Sequence, residues 1–279
     1  MELVTSKVLL KQLLDQARQS GTIGFVPTMG ALHRGHLSLV ERAVAENGAG
    51  VVSIFVNPTQ FNDPNDLLRY PRNLDADLKL LQSTGCRYVF VPSVEEIYPE
   101  PDTRVFQFGS LEIVMEGKHR PGHFNGVAQV VSRLFDIVKP DRAYFGLKDF
   151  QQLAIIRAMV QQLQLPVEIV PCEIVRETSG LAMSSRNQLL SPEERENAAV
   201  ISQTLLKAHR LAGKLSVGEL AGHITQTINQ NPFLTVEYVE IVNDITLQPV
   251  SGWEEPGTKI ACVAVWCGKV RLIDNIVFN

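Results

Sequence analysis

Continuous apolar runs at 23–27, 51–57, 88–92, 142–146 and 167–175 alternate along the chain with stretches at 37–47, 73–84, 126–138 and 149–162, where apolar positions recur at helical spacing. Strands that are apolar throughout, rather than at every second residue, are buried on both faces. Joined by helices, they predict a parallel sheet covered on each side. In such a sheet the ligand lies beyond the carboxyl ends of the strands, where the strand order switches. The first, second and fourth runs each end in a polar loop, at 28–36, 57–61 and 146–152, which predicts one shared site. Near residue 176 the pattern changes. Arg176-Glu177-Thr178-Ser179-Gly180 reads as a polar hinge, so the expected domains are 1–176 and a smaller 177–279. Ser191-Pro192-Glu193-Glu194 has the form of a helix start, with Ser at the cap, Pro at the first position and acids in the first turn. That helix is expected to run to about residue 212, with a second at 217–230. Alternating runs at 235–242, 259–266 and 270–274 then predict a small antiparallel sheet, turning at Gly268-Lys269. The fold class is therefore α/β, a doubly wound parallel sheet followed by a smaller C-terminal α+β domain.

The first polar loop carries the most chemistry. In G-F-V-P-T-M-G-A-L-H-R-G-H, at 24–36, Pro27 ends the strand-like run, and Gly30 and Gly35 let the backbone approach a ligand closely. A helix follows, so its N–H groups and positive dipole end face the carboxyl edge of the sheet, where a phosphate binds well. His33 and His36, three residues apart, can reach one point and donate hydrogen bonds to charge developing on a polyphosphate. A metal pair or two solvated loop histidines are the alternatives. No H-E-x-x-H spacing accompanies the pair.

Other loops add candidates. Gly146-Leu147-Lys148-Asp149 follows a strand and opens a helix, a backbone-plus-lysine cradle for phosphate, with a solvated lysine beside an Asp cap as the alternative. Met183-Ser184-Ser185-Arg186 offers two hydroxyls and a guanidinium able to clamp pyrophosphate, or it is a plain surface loop. Asn57-Pro58-Thr59-Gln60-Phe61 brings two amides that can read hydroxyl and carboxylate groups; turn chemistry explains Asn57 but not Gln60. Arg120-Pro121-Gly122-His123-Phe124-Asn125-Gly126 forms a substrate or phosphate wall, or caps the helix after it through Asn125.

Composition narrows the classes. The chain has 279 residues, 45% hydrophobic and 20% charged, an ordinary globular balance. A net charge of −4 argues against a nonspecific grip on nucleic acid. No run approaches the roughly 20 apolar residues of a membrane helix, and the first residues lack a secretory pattern, so no membrane association and a cytoplasmic location are expected. Cys86, Cys172, Cys262 and Cys267 lack C-x-x-C spacing and are expected as buried free thiols.

In order along the chain, P-T-M-G-A-L-H-R-G-H, F-V-N-P-T-Q-F, R-P-G-H-F-N-G-V, F-G-L-K-D-F-Q-Q-L and L-A-M-S-S-R-N resemble the signatures of the pantoate–β-alanine ligase family over nearly the whole length. H-x-G-H and M-S-S-R also resemble the paired signatures of the wider nucleotidyltransferase superfamily that includes class I aminoacyl-tRNA synthetases. The resemblance implies a Rossmann-like first domain and a C-terminal lid. It implies a two-step ligation of D-pantoate and β-alanine, using ATP with Mg²⁺ and passing through pantoyl adenylate. By motif position it implies that His36, His33, Lys148, Ser184 and Arg186 are catalytic. ATP would meet Pro27, Thr28, Met29, Gly30, His33, Gly35, His36, Gly146, Leu147, Lys148, Asp149, Val175, Met183, Ser184, Ser185 and Arg186. Pantoate or β-alanine would meet Met29, Asn57, Gln60, Arg120, His123 and Gln152, and Asp77 would be a magnesium contact. A homodimer through the first domain is also implied. Leu147 stands where the family commonly has Glu. An adenylyltransferase acting on another phosphate, and a catalytically silent nucleotide-binding module, are the competing readings.

Overall fold

The computed structural model describes residues 1–278. Six parallel strands, β1 (Glu2–Val4), β2 (Ile23–Thr28), β3 (Ala49–Ile54), β4 (Tyr88–Phe90), β5 (Arg142–Gly146) and β6 (Glu168–Cys172), form one sheet in the order β1-β4-β3-β2-β5-β6. Every residue of β3 is buried, as its unbroken apolar pattern requires. From β2 the chain moves outward to β3 and β4, then returns to lay β5 on the other flank of β2. The switch in strand order thus falls between β2 and β5, and the loop 28–36 leaves the carboxyl end of β2 there. Three-residue β1 has no signal in the apolar pattern; it adds to the sheet edge by pairing with β4.

The chain forms two compact units. The first comprises Met1–Phe108, Arg120–Leu147 and Gln152–Glu173. The second begins at Ile174 and also takes in Gly109–His119 and Lys148–Gln151. Its antiparallel sheet runs β7 (Leu234–Asn243), β8 (Lys259–Cys267) and β9 (Val270–Phe278), with Gly268 in the left-handed region at the expected turn. Against it pack the helices Pro192–His209 and Val217–Asn229, each started by a reciprocal Ser–Glu cap, Ser191 with Glu194 and Ser216 with Glu219. Leu205, Leu220, Ile224, Val263, Val265 and Leu272 belong to their shared core. β9 extends beyond the expected 270–274, because Asp274 and Asn275, turn residues by type, find side-chain partners in Arg176 and the Lys148 carbonyl.

The helix Arg34–Glu46 lies on the first sheet through Leu37, Val40 and Ala43, a stripe at every third position. All four cysteines are buried free thiols, and burial pushes the Cys86 thiol up to about 11. No helix among the described residues is long and apolar enough to cross a membrane.

Candidate active site

His33 is the N-cap of the helix Arg34–Glu46, and the two histidines cap that helix reciprocally. The Gly35 N–H donates to His33 Nδ1 at 3.2 Å, and the His33 N–H donates to His36 Nδ1 at 3.3 Å. An imidazole nitrogen that accepts a hydrogen bond carries no proton, so these contacts assign both rings to the tautomer with Nε2–H. The rings lie 4.0 Å apart between centroids. Two N–H donors are therefore presented as a pair at a helix start, beside the strand-order switch.

The loop before the helix is shaped by Asp77. Gly30 has φ +81°, and a Cβ there would stand 2.9 Å from Asp77 Oδ2, so only glycine fits. Asp77 is 2% exposed, and its carboxylate accepts from the Ala31 N–H at 2.9 Å and the Leu32 N–H at 2.6 Å. Burial raises its pKa, and the two backbone donors oppose the rise. The magnesium contact expected of Asp77 thus meets a different geometry: both oxygens hold the loop. Thr28 supports the same turn, donating to the Ser53 carbonyl at 2.7 Å and accepting from the Gly30 N–H at 3.3 Å.

Beside this loop, Met29 and Gln60 come together, with Gln60 Nε2 3.0 Å from the Met29 sulfur. A thioether is a weak acceptor, so the Gln60 amide retains donor capacity for a ligand. Asn57 has none to spare. Its Oδ1 accepts from the Tyr98 hydroxyl at 2.8 Å and the Thr59 hydroxyl at 3.1 Å, while its Nδ2 donates to Gln60 Oε1 and the Gly126 carbonyl. Asn57 therefore orients Gln60. His123 is buried and opposite in tautomer to the first pair: its Nδ1–H donates to the Gln60 carbonyl at 2.9 Å, leaving Nε2 to accept from Arg120 at 3.2 Å. The helix begins at His123, and Asn125 does not cap it; its Oδ1 accepts from the Phe106 N–H at 2.8 Å. Gly126 lets the helix touch the Gln60 turn, since a Cβ would fall 2.4 Å from the Thr59 carbonyl oxygen.

The remaining candidates belong chiefly to the second unit. Lys148 sits in the single turn Leu147–Asp149 after Gly146 closes β5, its ammonium 3.6 Å from the Asp149 carboxylate. Val175 accepts from the Met183 N–H at 3.0 Å, making 175–183 a hairpin that delivers Ser184 and Arg186. Ser184 caps the turn Ser185–Leu189, accepting from the Arg186 N–H at 3.3 Å, and Ser185 is buried. Gln152 is half-buried and belongs to the first unit, with Pro27 and Leu147.

The profile of the family described as Pantoate-beta-alanine ligase matches residues 2–277. The chain belongs to the pantoate–β-alanine ligase family. A pantothenate synthetase of Bacteroides thetaiotaomicron is 58% identical over 275 residues, which cover 99% of this chain and 98% of that relative. A solved pantothenate synthetase of Thermus thermophilus superposes with TM-score 0.92 at 47% identity, with 99% of each chain covered. The ligase of Francisella tularensis, solved in complex with beta-gamma ATP and beta-alanine, gives TM-score 0.84 at 36% identity, covering 99% of this chain and 97% of that one.

Two buried polar residues of this ligase are not singled out by any motif in the sequence. Gln151, beside the expected Gln152, is buried and accepts from the Glu116 N–H at 2.9 Å while donating to the Leu111 and Val114 carbonyls. Asn275 donates to the Lys148 carbonyl at 3.0 Å. The one signal available is the set of polar residues interrupting a strand pattern in Arg271-Leu272-Ile273-Asp274-Asn275.

Proposed function

We propose that this enzyme condenses D-pantoate with β-alanine in two steps. A pantoate carboxylate oxygen attacks the α-phosphorus of ATP, the bond to the bridging oxygen breaks, and pyrophosphate leaves with the pantoyl adenylate still bound. The β-alanine amine, having lost a proton, then attacks the acyl carbon; the acyl–oxygen bond breaks and AMP departs. Activation is necessary because a free carboxylate is a poor acyl donor.

The observation that carries this reading is the reciprocal histidine cap. Paired Nε2–H donors fixed by backbone contacts need little reorganisation as charge builds on the phosphates. Gln60, oriented by Asn57, reads the polar groups of pantoate, with Met29, Gln152, Arg120 and His123 around it. Lys148, Ser184 and Arg186 take the leaving pyrophosphate. Magnesium would arrive on the phosphate oxygens of ATP, whose hard oxygen ligands suit it. A homodimer through the first unit and a cytoplasmic location complete the proposal; sedimentation of the purified protein checks the former.

The test is AMP formation from ATP and Mg²⁺ with D-pantoate and β-alanine supplied together and each omitted in turn. AMP only with both, and pyrophosphate exchange into ATP with pantoate alone, is the expected result. Exchange that requires β-alanine would overturn the adenylate route.

A further inference from the structure

Strand β9 has two faces. Val270, Leu272 and Phe278 point into the core of the second unit, with Asp274 in the same alternation. Arg271 and Asn275, four residues apart, share the other face. They are covered by two segments from far earlier in the chain, Gly109–His119 and Lys148–Gln151. Asn275 is 5% exposed and donates to the Lys148 carbonyl. Arg271 makes a bidentate pair with Glu116, at 2.8 and 2.7 Å, and also donates to Glu237. The Tyr238 hydroxyl donates to Glu116 at 2.9 Å. Burial alone would lower the Arg271 pKa, but the two carboxylates outweigh it and hold the guanidinium charged.

Gln151 closes the circuit, tying the Lys148 turn to Glu116, Leu111 and Val114. The four residues 148–151 are thus gripped at both ends, at Lys148 by Asn275 and at Gln151 by a segment that Arg271 anchors. On the core face, Asp274 takes Arg176 bidentately at 2.6 and 3.0 Å, at the base of the hairpin that leads to Ser184 and Arg186. A lysine reaches its ligand on a flexible four-carbon stem, so the root of that stem is what a fold can fix.

We propose that Asn275 is a positioning residue for the ligase, rooting Lys148 toward the ATP phosphates from β9. The proposal rests on the assignment of Lys148 to those phosphates. ATP with Mg²⁺ is titrated calorimetrically, without pantoate, into wild type, Asn275→Ala, Lys148→Ala and the double variant. Asn275→Ala is expected to weaken ATP binding roughly tenfold, the effect of one well-placed hydrogen bond. In the Lys148→Ala background the same change is expected to alter binding less than about twofold, because residues acting as a unit are not additive. An equal factor in both backgrounds, or no effect in either, would overturn the proposal while leaving the ligase reading intact. Wild-type affinity in Lys148→Ala would overturn the lysine assignment and the proposal with it, whereas pantoate-dependent pyrophosphate exchange in wild type reports on the ligase reading separately. Should Asn275→Ala fail to fold, Asn275→Ser, too short to reach the carbonyl, replaces it. Failure of both would make the contact a folding element and overturn the proposal.

Discussion

In the first unit His33 and His36 lie three residues apart and hold each other through their own backbone, whereas in the second the Lys148 carbonyl is held by a side chain 127 residues further along. The histidine pair comes with the helix it caps. The lysine turn depends on a strand, an anchored loop and a glutamine all being in place. Geometry built from neighbours is compact and local; geometry built from distant tethers links the site to the packing of a whole unit.

Substitutions can break that contrast at several strengths. His36→Ala removes a donor and half of the cap, and is expected to lower pantoate-dependent pyrophosphate exchange by about 10²- to 10³-fold, with the KM for β-alanine unchanged. A change confined to β-alanine binding would contradict the role given to it. Gly126→Ala drives a methyl into the Thr59 carbonyl and is expected to destabilise the fold by about 3 kcal/mol, read by urea unfolding; wild-type stability would mean that the helix and the Gln60 turn separate easily. Asp77→Ala leaves the Ala31 and Leu32 N–H groups without their acceptor, an expected loss of about 2 kcal/mol, accompanied by a raised KM for ATP.

Asp102 sharpens the comparison through pH. Hydrogen bonds from Arg104, then from Arg133, outweigh burial and hold its pKa well below the ordinary value. A depressed carboxylate contributes stability that is present above its unfolded pKa of about 4 and is lost as pH falls through the folded value. Asp102→Asn is expected to reduce stability at pH 7 by about 2 kcal/mol, since the arginines are partly solvated, and to flatten the acid limb of the unfolding midpoint against pH. An unflattened limb would assign the acid sensitivity elsewhere. The smallest effect is expected from Leu147→Glu, which restores the residue common in the family: the KM for ATP should move less than about twofold, because Lys148 and Gln151 are held from β9 and Glu116. A larger fall would show that the acid itself assists ATP.

What can be read in the sequence follows the same division. H-x-G-H at a strand-to-helix junction displays its geometry because a cap is a matter of adjacent residues. The helix start at Ser191 is legible for the same reason, and the parallel sheet because burial on both faces leaves each central strand an unbroken apolar run. Asp77 is expected from the resemblance as a magnesium contact, and nothing near it along the chain announces that Ala31 and Leu32, more than forty positions away, take its oxygens. Asn57 reads as a ligand amide until Tyr98 and Gly126 use up its hydrogen bonds. From sequence β9 stops at residue 274, because nothing near Asp274 or Asn275 along the chain announces Arg176 or the Lys148 carbonyl.

The reach of those tethers has a consequence in time. Closing a long loop is slow relative to forming a helix turn, and Arg271 to Glu116 spans 155 residues. During refolding the histidine cap should therefore be ordered well before the lysine turn, and the capacity to bind ATP tightly should return later than helical signal, in step with the antiparallel sheet.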